Sequence, residues 1–437
     1  MKKRISALIL AITLMISATM FSSCLMGDYL LSTGSLGDTP AQTNGKNDDS
    51  VTKDQLNAAI AEAIRGLSVN SGDTYEVSVN TETGVDTLAA SKALLSVVSI
   101  YATFDVPYTT RVGWGSYQQG VTQSTQAGAG VIYRLEKDLG NAYIITNYHV
   151  VYNASGSPSI SKSLQLFLYG MEGSQYAIPA TYVGGSMTYD IAVLKVENSQ
   201  VLRQSAALEA TTANSDDVSV LETAIAIGNP EGRGVSATLG HVNVDSEYLT
   251  MTAADGKTSL NMRLMRIDTA VNGGNSGGGL FNNKGELIGI VNAKLQDSSI
   301  DNIGYAIPSN IATAVADNIL FYNDGKMYRS LLNVQVKTVD SSAVYDTENG
   351  KVHIRETVAV DEIATVNPVS AQLCVDDVIV SIEIAGKTYE VNRRYNVIDA
   401  MLHAKVGDTV VVHYVRAGVE GQTAVVTLDD SFKNAVQ

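Results

Sequence analysis

The seven residues Asn272-Gly273-Gly274-Asn275-Ser276-Gly277-Gly278 constrain this chain more than any other stretch. Glycines on both sides of one serine let the backbone take a tight turn that side chains would obstruct. Such a turn can aim two N–H groups at a single point. A serine held there is what a nucleophile needs when its own backbone must also bind a developing oxyanion. Gly/Asn/Ser clusters are otherwise ordinary loops, so the company decides. Upstream lie Ile144-Ile145-Thr146-Asn147-Tyr148-His149-Val150-Val151 and Tyr189-Asp190-Ile191-Ala192-Val193-Leu194. Each sets an ionisable residue, His149 or Asp190, beside an apolar run that reads as a buried strand.

The rest of the chain supplies strands to carry these segments. Short β-branched or aromatic runs recur at 97–101, 130–133, 143–146, 164–169 and 191–196. After a polar break at 210–217 they resume at 219–227, 235–244, 264–267, 287–292 and 304–307. Two sets of about six strands predict a mainly β fold of two antiparallel six-stranded barrels. His149 and Asp190 would sit on the first and Ser276 on the second, with the site in the cleft between. The 37 glycines and 21 tyrosines against 7 prolines suit that fold, and 45% apolar residues allow a full core. Residues 310–323 read as a helix. A second unit follows with strands at 331–336, 351–355, 378–384, 409–415 and 423–428 and a helix at 395–404. The domain reading is therefore 86–315 for the barrels and 327–430 for the second unit.

Residues 1–23 read as an export signal: Lys2-Lys3-Arg4, then the apolar run Ile5 to Met20. Phe21-Ser22-Ser23-Cys24 resembles a bacterial lipobox, which makes Cys24 the lipidated N-terminus and the membrane a partner through that anchor. The alternative is an uncleaved membrane anchor that ends in cysteine by chance. Lipidation leaves Cys374 as the only free thiol, so no intramolecular disulfide is expected. Residues 24–85 read as a flexible stalk with a short helix at 52–65. Thr52-x-x-Gln55 caps that helix, and Leu56, Ala59, Ile60, Ala63 and Ile64 line one face.

Amide hydrolysis needs a nucleophile, a base near neutrality, an orienting carboxylate and oxyanion donors. Ser276 fits the first, His149 the second and Asp190 the third, and the Gly274 and Ser276 N–H groups fit the last. His149 and His241 are the only histidines in the barrel region, and His149 alone sits at a strand end. No C-x-x-C, H-E-x-x-H or phosphate loop occurs, so no metal site and no cofactor is expected. A net charge of −15 with diffuse basic residues argues against nucleic acid as a partner.

These segments resemble the HtrA/Deg serine proteases of the chymotrypsin superfamily. Thr146-Asn147-Tyr148-His149-Val150-Val151 is similar to that family's T-N-x-H-V-V, and Asp190 to Val196 to its D-[IL]-A-V-L-K-V. Ala226-Ile227-Gly228-Asn229-Pro230-x-Gly232, Asn272 to Gly278, and Ile303-Gly304-Tyr305-Ala306-Ile307-Pro308 match three further motifs in order. The order His, Asp, Ser is that of chymotrypsin. The resemblance implies an endopeptidase acting on unfolded or misfolded proteins, with the barrel domain as a homotrimer. It places Ala270 on the floor of the S1 pocket, where the absence of an acid favours small or aliphatic P1 residues. Asp268 lies two residues too early to serve as that acid. Val291, Asn292, Ala293 and Lys294 would pair with the substrate backbone. Gly273 and Gly279 stand where the family commonly has proline, which predicts a loose nucleophile loop and an oxyanion hole completed only with substrate or partner.

The second unit resembles that family's PDZ domain through Asn367 to Ile382 and Lys405-Val406-Gly407-Asp408-Thr409-Val410. Leu331, Leu332, Asn333 and Val334 would form its peptide loop. Asn333 and Asp376 stand where glycine is usual, and the alternative is a PDZ fold serving only as a spacer. At the level of the whole chain, the competing readings are a proteolytically latent chaperone or peptide-binding protein and a surface scaffold.

Overall fold

The computed structural model describes residues 87–113, 116–293, 303–347, 350–363 and 370–436. The signal segment, Cys24, the stalk and the 52–65 helix lie outside the described residues. Strands β1 (Val97–Gly113), β2 (Ser116–Glu136), β3 (Asn141–Thr146), β4 (Ser163–Leu168), β5 (Ile178–Ser186) and β6 (Ile191–Val196) close into a barrel in the order β1-β2-β3-β6-β5-β4. A second barrel holds β7 (Thr223–Gly228), β8 (Ser236–Thr252), β9 (Ser259–Ile267), β10 (Gly279–Phe281), β11 (Leu287–Val291) and β12 (Gly304–Pro308). Its order is β10-β11-β12-β9-β8-β7. The fold is mainly β and has the two closed antiparallel barrels expected from the strand rhythm.

The apolar runs have a simple cause. In β6, Ala192, Leu194 and Val196 point into the first barrel, while Ile191 and Val193 join the core shared with the second. A strand buried on both faces loses its alternation and reads as a continuous apolar run. Ile144 and Ile145 of β3 divide in the same way. The shared core also takes Ile311, Val315 and Ile319 from the helix Ser309–Tyr322.

Several elements depart from the sequence reading. Thr87–Leu94, ahead of the first strand run, is a helix that the sequence reading did not include. Strands β1 and β2 run far past their apolar cores as a ribbon in which 104–113 pairs with 116–124. Strand β5, unforeseen, contains Gly184 and Gly185. A Cβ on Gly184 would lie 2.6 Å from Ile319, and one on Gly185 would lie 2.7 Å from the Tyr148 ring, so both glycines serve close packing rather than a turn.

Beyond the barrels, β13 (Met327–Arg329) pairs with β20 (Asn434–Val436). Between them lies a sheet in the order β14-β15-β16-β18-β19. Its strands are β14 (Val334–Asp346), β15 (Lys351–Ile363), β16 (Val378–Ile384), β18 (Thr409–Arg416) and β19 (Val419–Thr427), and β17 (Lys387–Glu390) pairs with β16. Its core includes Val358, Val360, Ile379, Ile382, Val410 and Val412. The expected strand over 331–336 begins only at Val334, because Asn333 takes a left-handed φ of 57°. Asp376 has a φ of 69°. Asn and Asp are the side chains that best tolerate this region, so both positions keep the turn that glycine would make. Numbering helices along the chain gives α1 (Thr87–Leu94), α2 (Tyr148–Val151), α3 (Gln200–Gln204), α4 (Ser309–Tyr322) and α5 (Asn396–Leu402). Among the described residues no helix is long and apolar enough to cross a membrane.

Candidate active site

Strand β3 ends at Thr146, whose hydroxyl donates to the Ala129 carbonyl at 2.7 Å. The single turn α2 follows and carries His149. Asp190 occupies the turn between β5 and β6 with a φ of 50°. Its carbonyl accepts from the Asn147 side-chain amide at 2.9 Å and from the Tyr148 N–H at 3.1 Å. These two bonds hold the left-handed turn beside α2. The Asp190 carboxylate then accepts the His149 backbone N–H at 3.0 Å, and its other oxygen lies 2.7 Å from His149 Nδ1. A carboxylate accepts here, so Nδ1 carries the proton and the Nε2 lone pair is left to act as base. The Asp190 side chain is 6% exposed and that of His149 18%.

The Ser276 loop connects β9 to β10 and is tied to both barrels. The Ser276 carbonyl accepts from Ala129 N–H on β2 at 2.9 Å, and Gly277 N–H donates to Val291 at 3.0 Å. Gly277 has a φ of 83°, and a Cβ there would fall 2.2 Å from Thr146 Oγ1. Gly274, with a φ of 96°, would clash with the Asn229 carbonyl. Every residue from Gly273 to Gly278 makes a backbone hydrogen bond, so the loop is tied at each position in this structure. The Gly273 carbonyl is drawn to Glu231 N–H at 2.8 Å. A trans peptide then turns the Gly274 N–H the opposite way. Neither that N–H nor the Ser276 N–H bonds to the protein among the described residues.

Asn229 had a motif in sequence but no assigned task. It is buried, its N–H reaches the Gly274 carbonyl at 3.2 Å, and its side-chain amide donates to Gly128 on β2 at 3.3 Å. It joins the nucleophile loop to the first barrel.

The expected substrate strand needs revision. Val291 is wholly buried, and its N–H is spent on Gly278. Asn292 N–H bonds Tyr305, and its side-chain amide donates to the Asp190 carboxylate at 3.0 Å. Asn292 thus belongs to the His149–Asp190 pair rather than to a substrate strand. Ala293 N–H donates to Ser276 Oγ at 3.2 Å. Among the described residues that is the partner of Ser276 Oγ, and His149 Nε2 is not. Lys294 lies outside the described residues. Ala270 is exposed before the Ser276 loop, with its carbonyl accepting from the Thr238 hydroxyl at 3.0 Å. Asp268 faces away toward β8, where it accepts the His241 N–H. Leu331 and Leu332 precede β14, Leu332 is buried, and Val334 opens the strand. Among the described residues no cluster of His, Cys, Asp or Glu could hold a metal ion.

Two closed antiparallel barrels, one carrying a hydrogen-bonded His–Asp pair and the other a Gly-Asn-Ser-Gly-Gly turn, define a trypsin-like serine endopeptidase. A family model described as a trypsin-like peptidase domain matches residues 128–290. A Serine protease Do-like HtrA of Lactococcus lactis subsp. cremoris (strain MG1363) is 31% identical over 375 residues, 81% of this chain and 85% of that protein. The protein of the same name from Bacillus subtilis (strain 168) is 31% identical over 315 residues, 70% of this chain; the match spans 65% of that protein, just under two thirds. The Periplasmic pH-dependent serine endoprotease DegQ of Escherichia coli (strain K12) is 35% identical over 213 residues, 48% of this chain and 40% of that protein. A solved HtrA-type protease, AlgW with decapeptide, aligns over 80% of this chain and 97% of its own at 24% identity and a TM-score of 0.46. The chain belongs to the HtrA family of serine proteases.

Proposed function

We propose that the protein is an exported, lipid-anchored endopeptidase that cleaves unfolded or damaged proteins after small or aliphatic residues. The observation that carries this reading is the Asp190 carboxylate, which holds His149 Nδ1 at 2.7 Å while Asn292 holds the carboxylate. In this reading Ser276 attacks the scissile carbonyl. His149 Nε2 takes the Ser276 proton and returns it to the leaving amine, and Asp190 stabilises the imidazolium. The Gly274 and Ser276 N–H groups, which have no acceptor among the described residues, receive the oxyanion. Ala270 shapes the S1 pocket. Cys24 carries the lipid, and a periplasmic relative supports an address outside the cytoplasm. The resemblance further implies a homotrimer, which light scattering would detect.

The C-terminal sheet serves as a PDZ-type peptide site. Strand β14 sits at the end of the sheet order with its second edge unpaired among the described residues, which leaves main-chain groups for an added peptide strand.

The Ala293 N–H on Ser276 Oγ also favours a second reading, in which the site rests latent until a substrate or partner draws that contact apart. Casein cleavage by the full chain beside Ser276→Ala, with fluorophosphonate labelling in parallel, separates the two. Cleavage and labelling that vanish together in the variant support the protease. Labelling without cleavage points to a competent triad with the wrong substrate or a missing activator, and folded protein with neither supports the latent site and overturns the constitutively active protease.

A further inference from the structure

A cleft of about 400 Å³ opens between the start of β14 and the N-terminal end of α5. That is within the range of ligand sites, roughly 300–1,000 Å³. Its apolar lining comes from Val334, Val336, Val397 and Ile398, with Asn261 and Gln335 beside them. Tyr248, contributed by β8 of the second barrel, lines it as well. Two features say what the cleft can hold. The free edge of β14 runs along it and offers main-chain hydrogen bonds to an extended chain. Arg394 lines it too, and among the described residues its exposed guanidinium has no ion-pair partner. The neighbouring Arg393, by contrast, is paired with Asp245 at 2.8 Å.

We propose that this cleft seats an extended peptide on the β14 edge and selects, through Arg394, a segment with an acidic side chain flanked by apolar ones. The peptide main chain pairs with β14. One apolar side chain packs between Ile398 and Tyr248, and the neighbouring carboxylate meets the guanidinium. Because Tyr248 comes from the second barrel, a bound peptide touches both the protease and the C-terminal sheet. The inference rests on the reading of the C-terminal sheet as a peptide-binding unit, and it adds the side-chain chemistry that the unit selects.

The test uses the full chain with Ser276→Ala, so that peptides survive, and fluorescein-labelled nonapeptides Gly-Ser-Gly-Ser-Val-X-Val-Tyr-Val read by anisotropy. X is Glu, Gln or Lys, and each peptide is made with a free and an amidated C-terminus. The Glu peptide is expected to bind about fivefold tighter than the Lys peptide, the size of a partly exposed ion pair. Arg394→Glu should invert that order, and Arg394→Gln should bring the ratio near one. Tyr248→Ala should weaken all three peptides alike.

Equal binding of Glu and Lys peptides to the parent chain overturns the selection by Arg394 and leaves the edge-strand reading standing. Binding of none overturns both. A Glu preference that disappears on amidation assigns Arg394 to the chain terminus and overturns the side-chain assignment. One that survives amidation supports it.

Discussion

Two buried aspartates, one in the catalytic cleft and one where the second barrel meets the C-terminal sheet, solve the same problem in opposite ways. Asp190 is met by hydrogen-bond donors: His149 Nδ1, His149 N–H and the Asn292 amide, at 2.7, 3.0 and 3.0 Å. Asp399 on α5 is met by a cation, Arg263 of β9. That guanidinium is only 3% exposed, is shared with Asp216 at 3.4 Å and lies over the Tyr395 ring at 3.9 Å. Its Nε has no partner among the described residues. Donors arranged around a carboxylate fix its position as well as its charge. A shared cation leaves part of the desolvation cost standing, and burial pushes the Asp399 carboxyl up to about 6 despite Arg263, with Asp216 adding to the rise. The first arrangement suits chemistry that needs one geometry, and the second is a junction held under electrostatic cost.

The comparison breaks most sharply at Asp190. Asp190→Asn keeps the shape but presents an amide where Nδ1–H must be accepted, which turns the imidazole to the wrong tautomer. We expect kcat on an aliphatic-P1 peptide to fall by about 10⁴ with the melting temperature nearly unchanged. A loss below tenfold would remove Asp190 from the mechanism.

Arg263 should show the reverse pattern. Arg263→Met leaves Asp216 and Asp399 facing each other in a buried junction, at an expected cost of about 3–5 kcal/mol in urea unfolding. Replacing Asp399 by Leu in the same chain should recover most of it, because an apolar pair of similar volume removes the stranded charge. If Arg263→Met alone is neutral, the junction is not held by this pair.

The raised carboxyl at Asp399 also gives a signed pH dependence. Between the ordinary carboxyl value of 3.8 and about 6, the native state keeps a proton that the unfolded chain has released. Stability from this group is therefore full below the lower value and is lost as pH rises through the upper one. The loss is on the order of 3 kcal/mol. Other carboxylates act oppositely; Arg416 and the Cys374 N–H hold Asp377 below its usual range despite burial. The measurement is thus the difference between the parent chain and Asp399→Asn across pH 4–6, where the variant should lack this falling component. Parallel curves would sink the assignment.

How much of this was legible in sequence depended on whether a residue's task was local. Runs such as Ile191–Val196 announced buried strands because both faces pack. The ribbon of 104–113 and 116–124 did not, since most of it faces solvent; Tyr108, Val112, Tyr117 and Val121 are exposed, and Pro107 interrupts the pattern. His149, Asp190 and Ser276 were found from their flanking motifs. What those motifs could not carry was the second layer of contacts. Asn229 and Asn292 are ordinary polar residues whose partners lie 101 and 102 positions away in the chain. Nor did the motif show why Gly274 and Gly277 are needed: they allow close approach to Asn229 and Thr146, and the loop is tied to both.

Asn292 offers the finest test of the difference between the two aspartates. Among the described residues its amide is one of three donors to the Asp190 carboxylate, and the other two come from His149 itself. Removing it leaves the His149 contacts in place but frees the carboxylate to swing about them, so the imidazole loses its fixed direction rather than its partner. Asn292→Ala should therefore lower kcat by about tenfold, or roughly 1.4 kcal/mol of barrier, while KM stays within about twofold. Asn292→Ser restores a donor and should recover part of the loss, whereas a merely structural role would leave kcat and KM falling with stability and no rescue by a hydroxyl. If Asn292→Ala changes KM and spares kcat, the residue belongs to the substrate strand after all, and the Asp190 carboxylate needs no Asn292 amide to hold His149.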